Sequence, residues 1–138
     1  MPDSPAHLIQ MLLTKATDLE HVASITTPDV IYVSLTEDNP ELKRYLPWAG
    51  AHKGPESIVR TFEGIGRTWE TKAFEVRDVI EQGDKVAMFG SFTYRGRGTG
   101  KEITSLFSIL ATVENGKVSY IQFLEDTFGT SRTTGTPS

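Results

Sequence analysis

The chain has 138 residues, a formal net charge of −4 and no cysteine, and its pI is near 5.3. The acidic balance argues against nucleic acid or an anionic membrane as a partner, and the lack of cysteine excludes disulfides, thiolate nucleophiles and cysteine-ligated metals. A composition of 38% hydrophobic and 23% charged residues fits one globular domain with a real core. No stretch approaches the roughly 20 apolar residues of a membrane-spanning helix, and Met1 to Gln10 lacks a signal-peptide pattern, so a cytoplasmic location is the default expectation.

Asp3 or Ser4 is placed to cap a helix, with Pro5 in its first turn. Leu8, Met11, Leu12 and Lys15 then recur at helical spacing. A second helical piece, about Asp18 to Ser24, is expected to stop at Pro28-Asp29. Val30 to Leu35 is β-branched and aromatic, and reads as a strand. Thr36 to Gly54 reads as a long irregular stretch, in which Tyr45, Leu46 and Trp48 suggest a packed flap. Gly54-Pro55-Glu56 opens a helix with Ile58, Phe62 and Ile65 on its apolar face and Gly66 as its stop.

The remainder is β-rich. Strands are predicted at Ala73 to Glu81, Val86 to Arg95, Glu102 to Val113 and Val118 to Thr127. Gly83-Asp84 and Asn115-Gly116 make tight turns, and Arg95 to Gly100 a glycine-rich connection. We expect a domain over residues 1–128 and a disordered polar tail over 129–138. Helices followed by an antiparallel meander make an α+β fold.

Alternation along the strands leaves the inner face undecided, because both sets of side chains are mixed. Val86, Met88, Gly90, Phe92 and Tyr94 share one face of the second meander strand. Thr104, Leu106, Ser108 and Leu110 alternate with Ile103, Ser105, Phe107 and Ile109 in the third. Ile121, Phe123 and Glu125 alternate with Tyr120, Gln122, Leu124 and Asp126 in the last. A few polar groups converging in an apolar cavity are the usual form of a small-molecule site. Serines bonded to their own backbone, and Glu125 at a wet sheet rim, are the structural alternative.

Familiar catalytic patterns are missing. There is no Gly-x-Ser-x-Gly elbow, and no pair of histidines has metal-ligand spacing, so neither a metal nor another cofactor is expected. His7 and His21 fall on helices and read as solvated, whereas His52 lies in the aromatic stretch near a possible pocket mouth. Gly96 to Gly100 joins two antiparallel strands and lacks the helix start and lysine of a phosphate cradle.

Three local runs carry a family resemblance. They are Leu46-Pro47-Trp48-Ala49-Gly50 leading to Lys53 through Ile58 with Phe62 beyond, Val79 through Val86, and Glu114 through Val118 running on to Glu125-Asp126. In order and spacing the chain resembles the SnoaL-like branch of the nuclear-transport-factor-2-like superfamily over about Leu8 to Thr127. That resemblance implies a cone-shaped curved antiparallel sheet packed on N-terminal helices (cystatin-like), a deep pocket and commonly a homodimer. Relatives include ketosteroid isomerases, polyketide cyclases and limonene epoxide hydrolases, several of which use pocket carboxylates to move protons.

The carry-over of those carboxylates fails residue by residue. The isomerase base falls at Ser34, the isomerase acid near Ser108 or Leu110, and the last-strand aspartate at Phe123. The hydrolase arginine and aspartate fall near Gly90 and Phe92. The resemblance does imply which side chains face inward: Tyr32, Ser34, Met88, Phe92, Ser108, Ile121, Phe123 and Glu125, with Trp48, His52 and Phe62 at the mouth or wall. Glu125 is then the internal carboxylate and Asp126 a structural one. Three functions are open. One is binding of an apolar small molecule. Another is an isomerase, cyclase or lyase with Glu125 as general base and Tyr32 donating to an oxyanion. The third is a non-catalytic dimerisation module.

Overall fold

Ser4 accepts a hydrogen bond from the His7 amide and starts α1, Pro5–Thr14. Asp3, the other expected cap, lies outside the described residues; the computed structural model describes residues 4–135. Asp18 caps α2, Leu19–Ile25, by accepting from the His21 amide. The His21 ring is not merely solvated, because its Nε2 meets the Met11 carbonyl at 2.8 Å and ties α2 to α1.

Pro28-Asp29 is not what ends α2. Thr26 already opens β1, Thr26–Ser34, and Pro28 sits inside that strand, where pairing slips between Thr26 and Ile31. A proline is tolerated at such a slip because no ladder bond needs its missing N–H. The stretch expected to be irregular holds α3, Pro40–Lys43, and β2, Gly50–Lys53, which pairs antiparallel with β1. Then α4, Pro55–Thr68, runs through Gly66.

The meander follows as β3, Trp69–Gln82; β4, Lys85–Gly96; β5, Glu102–Glu114; and β6, Lys117–Glu125. The six-stranded sheet has the order β2-β1-β6-β5-β4-β3. Only β1 and β6 run parallel; the other neighbours are antiparallel. The α+β expectation holds. The apolar faces of α1, α2 and α4 meet the inner face of the curved sheet. Ile9, Leu12, Val22 and Ile58 bury completely there against Val30, Met88 and their neighbours. Each such side chain stabilises the fold by about 2 kcal/mol.

Gly90 marks where the sheet bends. Its partner strand slips between Val76 and Asp78. A Cβ on Gly90 would overlap the Glu75 carbonyl and press on the Phe107 ring.

The tail expected to be disordered is ordered over its described part. Asp126 accepts from the Gly129 amide and caps α5, Thr127–Ser131. Gly129, Thr130 and Thr133 are buried. Trp69 Nε1 donates to Thr133 Oγ1 at 2.6 Å, and Thr99 Oγ1 donates to the Thr133 carbonyl at 2.7 Å. A polar composition hides this because the segment is fastened by hydrogen bonds and not by apolar side chains.

Candidate functional site

The inner face of β4 carries Met88, Phe92 and Tyr94, all buried. In β6 the inner set is Ile121, Phe123 and Glu125, paired with Ala111, Ile109 and Phe107 of β5. In β1 it is Tyr32 and Ser34, which pair with Ile121 and Phe123. Seven of the expected site residues therefore come together: Tyr32, Ser34, Met88, Phe92, Ile121, Phe123 and Glu125. Phe62 of α4 faces them, its ring edge-on to Tyr32 with centroids 6.2 Å apart.

Ser108 is a correction. It pairs with Phe89 and Leu124, both exposed, and so lies on the outer face of the sheet. The inner positions of β5 are Ser105, Phe107 and Ile109 instead. Trp48 and His52 also depart from the expected pocket. They border a separate cleft on the other face of α4, with the Trp48 ring edge-on to Trp69 at 5.4 Å. His52 Nε2 lies 2.7 Å from the Trp48 carbonyl.

Aromatic rings fill much of the interior. Phe92 and Tyr94 have centroids 4.1 Å apart, Phe107 and Phe123 stack at 5.4 Å, and Trp69 stacks on Tyr94 at 5.0 Å. Beside them a cavity of about 410 Å³ opens between the end of α1, α4 and the β3–β4 pair. Phe62, Ile65, Phe74 and Tyr94 are in its wall. A space of that size suits a small organic molecule.

Glu125 is the carboxylate on the inner face of β6, and it does not line that cavity. Burial pushes its carboxyl up to about 7. The nearby Thr130 hydroxyl works against the rise, and the neighbouring Asp126 charge adds to it. By strict geometry both Glu125 Oε2 and Thr130 Oγ1 are buried without a hydrogen-bond partner. Thr130 therefore tempers the shift without satisfying the carboxyl. The Tyr32 phenol is raised far above its ordinary range by burial, against the Ser34 hydroxyl and with the Glu125 charge. Tyr94 is raised by burial and by the charges of Glu125 and Tyr32. Both phenols thus stay protonated at any ordinary pH.

Sequence reasoning missed Tyr94, Phe107 and Thr130. Tyr94 shares the phase of Phe92 and was legible from alternation. Thr130 was hidden by the tail's composition. Asp126 is structural as expected: it caps α5, and its amide donates to Ser105 Oγ at 3.0 Å.

Residues 10–121 match the SnoaL-like domain. The chain belongs to the SnoaL-like domain family. This SnoaL-like chain is 36% identical over 121 residues to patulin synthesis protein F of Aspergillus clavatus, covering 86% of the chain and 61% of that protein. It therefore spans about three-fifths of the length of that relative. An NTF2-like protein of Burkholderia xenovorans LB400 superposes with a TM-score of 0.80 at 18% identity, covering 98% of each chain. TerC, co-crystallized with polyporic acid, superposes with a TM-score of 0.74 at 22% identity, covering 94% of this chain and 97% of TerC. At these identities the two structures speak for the fold, which is NTF2-like. Among the described residues no helix is long and apolar enough to cross a membrane. None of their His, Asp and Glu side chains form a group that would hold a metal ion.

Proposed function

We propose that this chain binds a small, largely apolar molecule against the inner face of the sheet and that Glu125 moves a proton on it. The observation that carries the reading is the buried Glu125 carboxyl, held up to about 7 with one oxygen free of protein partners. Such a group is divided between acid and base at neutral pH, as proton transfer requires. TerC, which shares the fold, was co-crystallized with polyporic acid, and patulin synthesis protein F carries its role in its name. Both agree with a small-molecule site.

The reading puts the ligand in the cavity walled by Phe62 and Tyr94, which Glu125 and Tyr32 do not line, with its reacting end reaching past Tyr94, whose phenol feels the Glu125 charge. As carboxylate, Glu125 takes a proton from a carbon next to a carbonyl. The Tyr32 hydroxyl donates to the oxygen on which negative charge gathers, and Glu125 then returns the proton to another atom of the same framework. No cofactor enters this sequence, which as it stands is an isomerase's; a cyclase or lyase shares the proton abstraction, after which the carbanion closes a ring or expels a leaving group that takes the Glu125 proton. A thermal-shift screen with steroids, terpenoids and aromatic polyketides tests binding. A ligand at about 100 times its Kd should add about 2.7 kcal/mol of stability. If no compound raises the melting temperature, the reading fails. For any substrate found, Glu125→Gln should abolish turnover and leave binding in place.

A second copy of the chain belongs to the same reading. Helices cover only the inner face of the sheet. On the outer face Phe89, Leu106, Leu110 and Leu124 stand exposed, Leu106 at 69%. They lie side by side on the central strands β4, β5 and β6, an apolar patch of the kind that marks an association surface. A two-fold contact between equal patches buries it without a second kind of partner.

A further inference from the structure

The interior site uses one face of α4, where Phe62 and Ile65 point to the cavity. The opposite face of the same helix walls a cleft of about 390 Å³ under the 47–52 segment. Trp48 and His52 form its other side, and Arg60 and Arg67 stand on the helix. Arg60 and Arg67 are seven residues apart, so they lie on one stripe about 10 Å apart along the axis.

The floor of this cleft is built around an aromatic ring. Gly64 lies midway between the arginines. A Cβ there would come within 3.0 Å of Trp48 Cε3 and 3.3 Å of Cζ3. Glycine inside a helix costs about 1 kcal/mol relative to alanine, and here it lets the indole lie directly on the helix. Arg67 Nη2 is 3.9 Å from the same point, beside the ring.

The polar groups of the cleft are sorted by their bonds. Ser57, Thr61 and Thr68 spend their hydroxyl hydrogens on helix carbonyls at 2.7, 2.9 and 2.8 Å. His52 Nε2 is engaged with the Trp48 carbonyl. Glu56 and Glu63 stand four residues before Arg60 and Arg67. The ion pairs among the described residues are nevertheless Lys72–Glu70 and Arg77–Glu75, both on β3. The two guanidiniums are therefore the cationic donors left for a ligand, in a protein whose net charge is −4.

We infer that this cleft binds an aromatic carboxylate, its ring against Trp48 and its carboxylate on Arg67 or Arg60. A guanidinium matches a carboxylate with two parallel N–H donors, and the indole gives a planar surface beside it. The site is separate from the Glu125 site and does not depend on it.

The test uses 2-naphthoate and its neutral counterpart 2-naphthamide, titrated calorimetrically into the full chain. Naphthoate should bind saturably, and naphthamide at least about tenfold more weakly, since the charge-assisted contact is lost. Arg60→Gln with Arg67→Gln should weaken naphthoate by a similar factor. Both side chains are exposed, so circular dichroism and the melting curve should not change. Gly64→Ala, which pushes the indole away, should weaken naphthoate with both arginines present. Phe74→Ala, which opens the wall of the inner cavity, should leave naphthoate affinity as it is. Equal affinity for the two probes, no saturable naphthoate binding, or a loss that follows Phe74→Ala and not the arginines would each overturn the inference.

Discussion

Replacing Glu125 with glutamine tests the buried carboxyl through stability alone, without knowledge of a ligand. In the unfolded chain the group titrates at 4.5, and in the folded protein at about 7. A carboxyl raised on folding favours the folded state while protonated. Its contribution is fully present below pH 4.5 and declines as pH rises toward 7. It has gone above that. At about 1.4 kcal/mol for each pH unit between the two values, the loss from pH 4 to pH 8 is about 3 kcal/mol. Glutamine has nearly the shape of the protonated acid and cannot ionise. The variant should therefore gain about 3 kcal/mol on the wild type between pH 4 and pH 8, or about 10 °C in Tm for a chain of this size. Any constant cost of burying the amide cancels when the two pH values are compared. Urea unfolding at both pH values measures the difference. Parallel pH profiles for the two proteins would show that Glu125 titrates as an ordinary carboxyl and would remove the basis for its role as a base.

Deleting residues 128–138 removes Thr130 and Thr133 and opens the Glu125 end of β6 to water. The Glu125 carboxyl, followed by carbon NMR, should then fall from about 7 toward 4.5, and an unmoved value would mean that α5 plays no part in the burial. Gly90→Ala should cost about 3 kcal/mol or prevent folding, because the new methyl group meets the Glu75 carbonyl across the bulge; a melting curve like the wild type's would show that the bulge relaxes. Leu106→Glu with Leu124→Glu should convert a dimer to a monomer in sedimentation at unchanged fold. A monomeric wild type, or a dimeric variant, would sink the outer-face contact.

Much of the fold was open to a reader of the sequence. The Asn115-Gly116 turn, the helical spacing from Leu8 to Lys15 and the β-branched run from Val30 announce their elements by local chemistry. Elements that depend on distant partners did not. Gly50–Lys53 is a strand only because β1 lies beside it. Residues 130–135 are held in place because Trp69 and Thr99 bond Thr133. The resemblance places Ser108 inward, and alternation offers no check because both sets of β5 side chains are mixed; its pairing with Phe89 and Leu124 puts it on the outer face.

The inward placement of Glu125 has a cause that alternation alone does not contain. Counted back from the Asn115-Gly116 turn, Val113 pairs with Val118, and both are buried. Strict alternation from Val118 would send Tyr120, Gln122, Leu124 and Asp126 inward, leaving Glu125 in solvent. The ladder slips instead: Thr112 pairs with Tyr120, and Ser119 is the extra residue. From that point Ile121, Phe123 and Glu125 face the core. A one-residue bulge exchanges the two faces of everything beyond it. It puts Glu125 among the tyrosines and frees Asp126 to cap α5. Two adjacent carboxylates thus receive different tasks, one buried and titrating near neutrality, the other at the start of a helix. The sorting is done by backbone register and not by any difference in their side-chain chemistry.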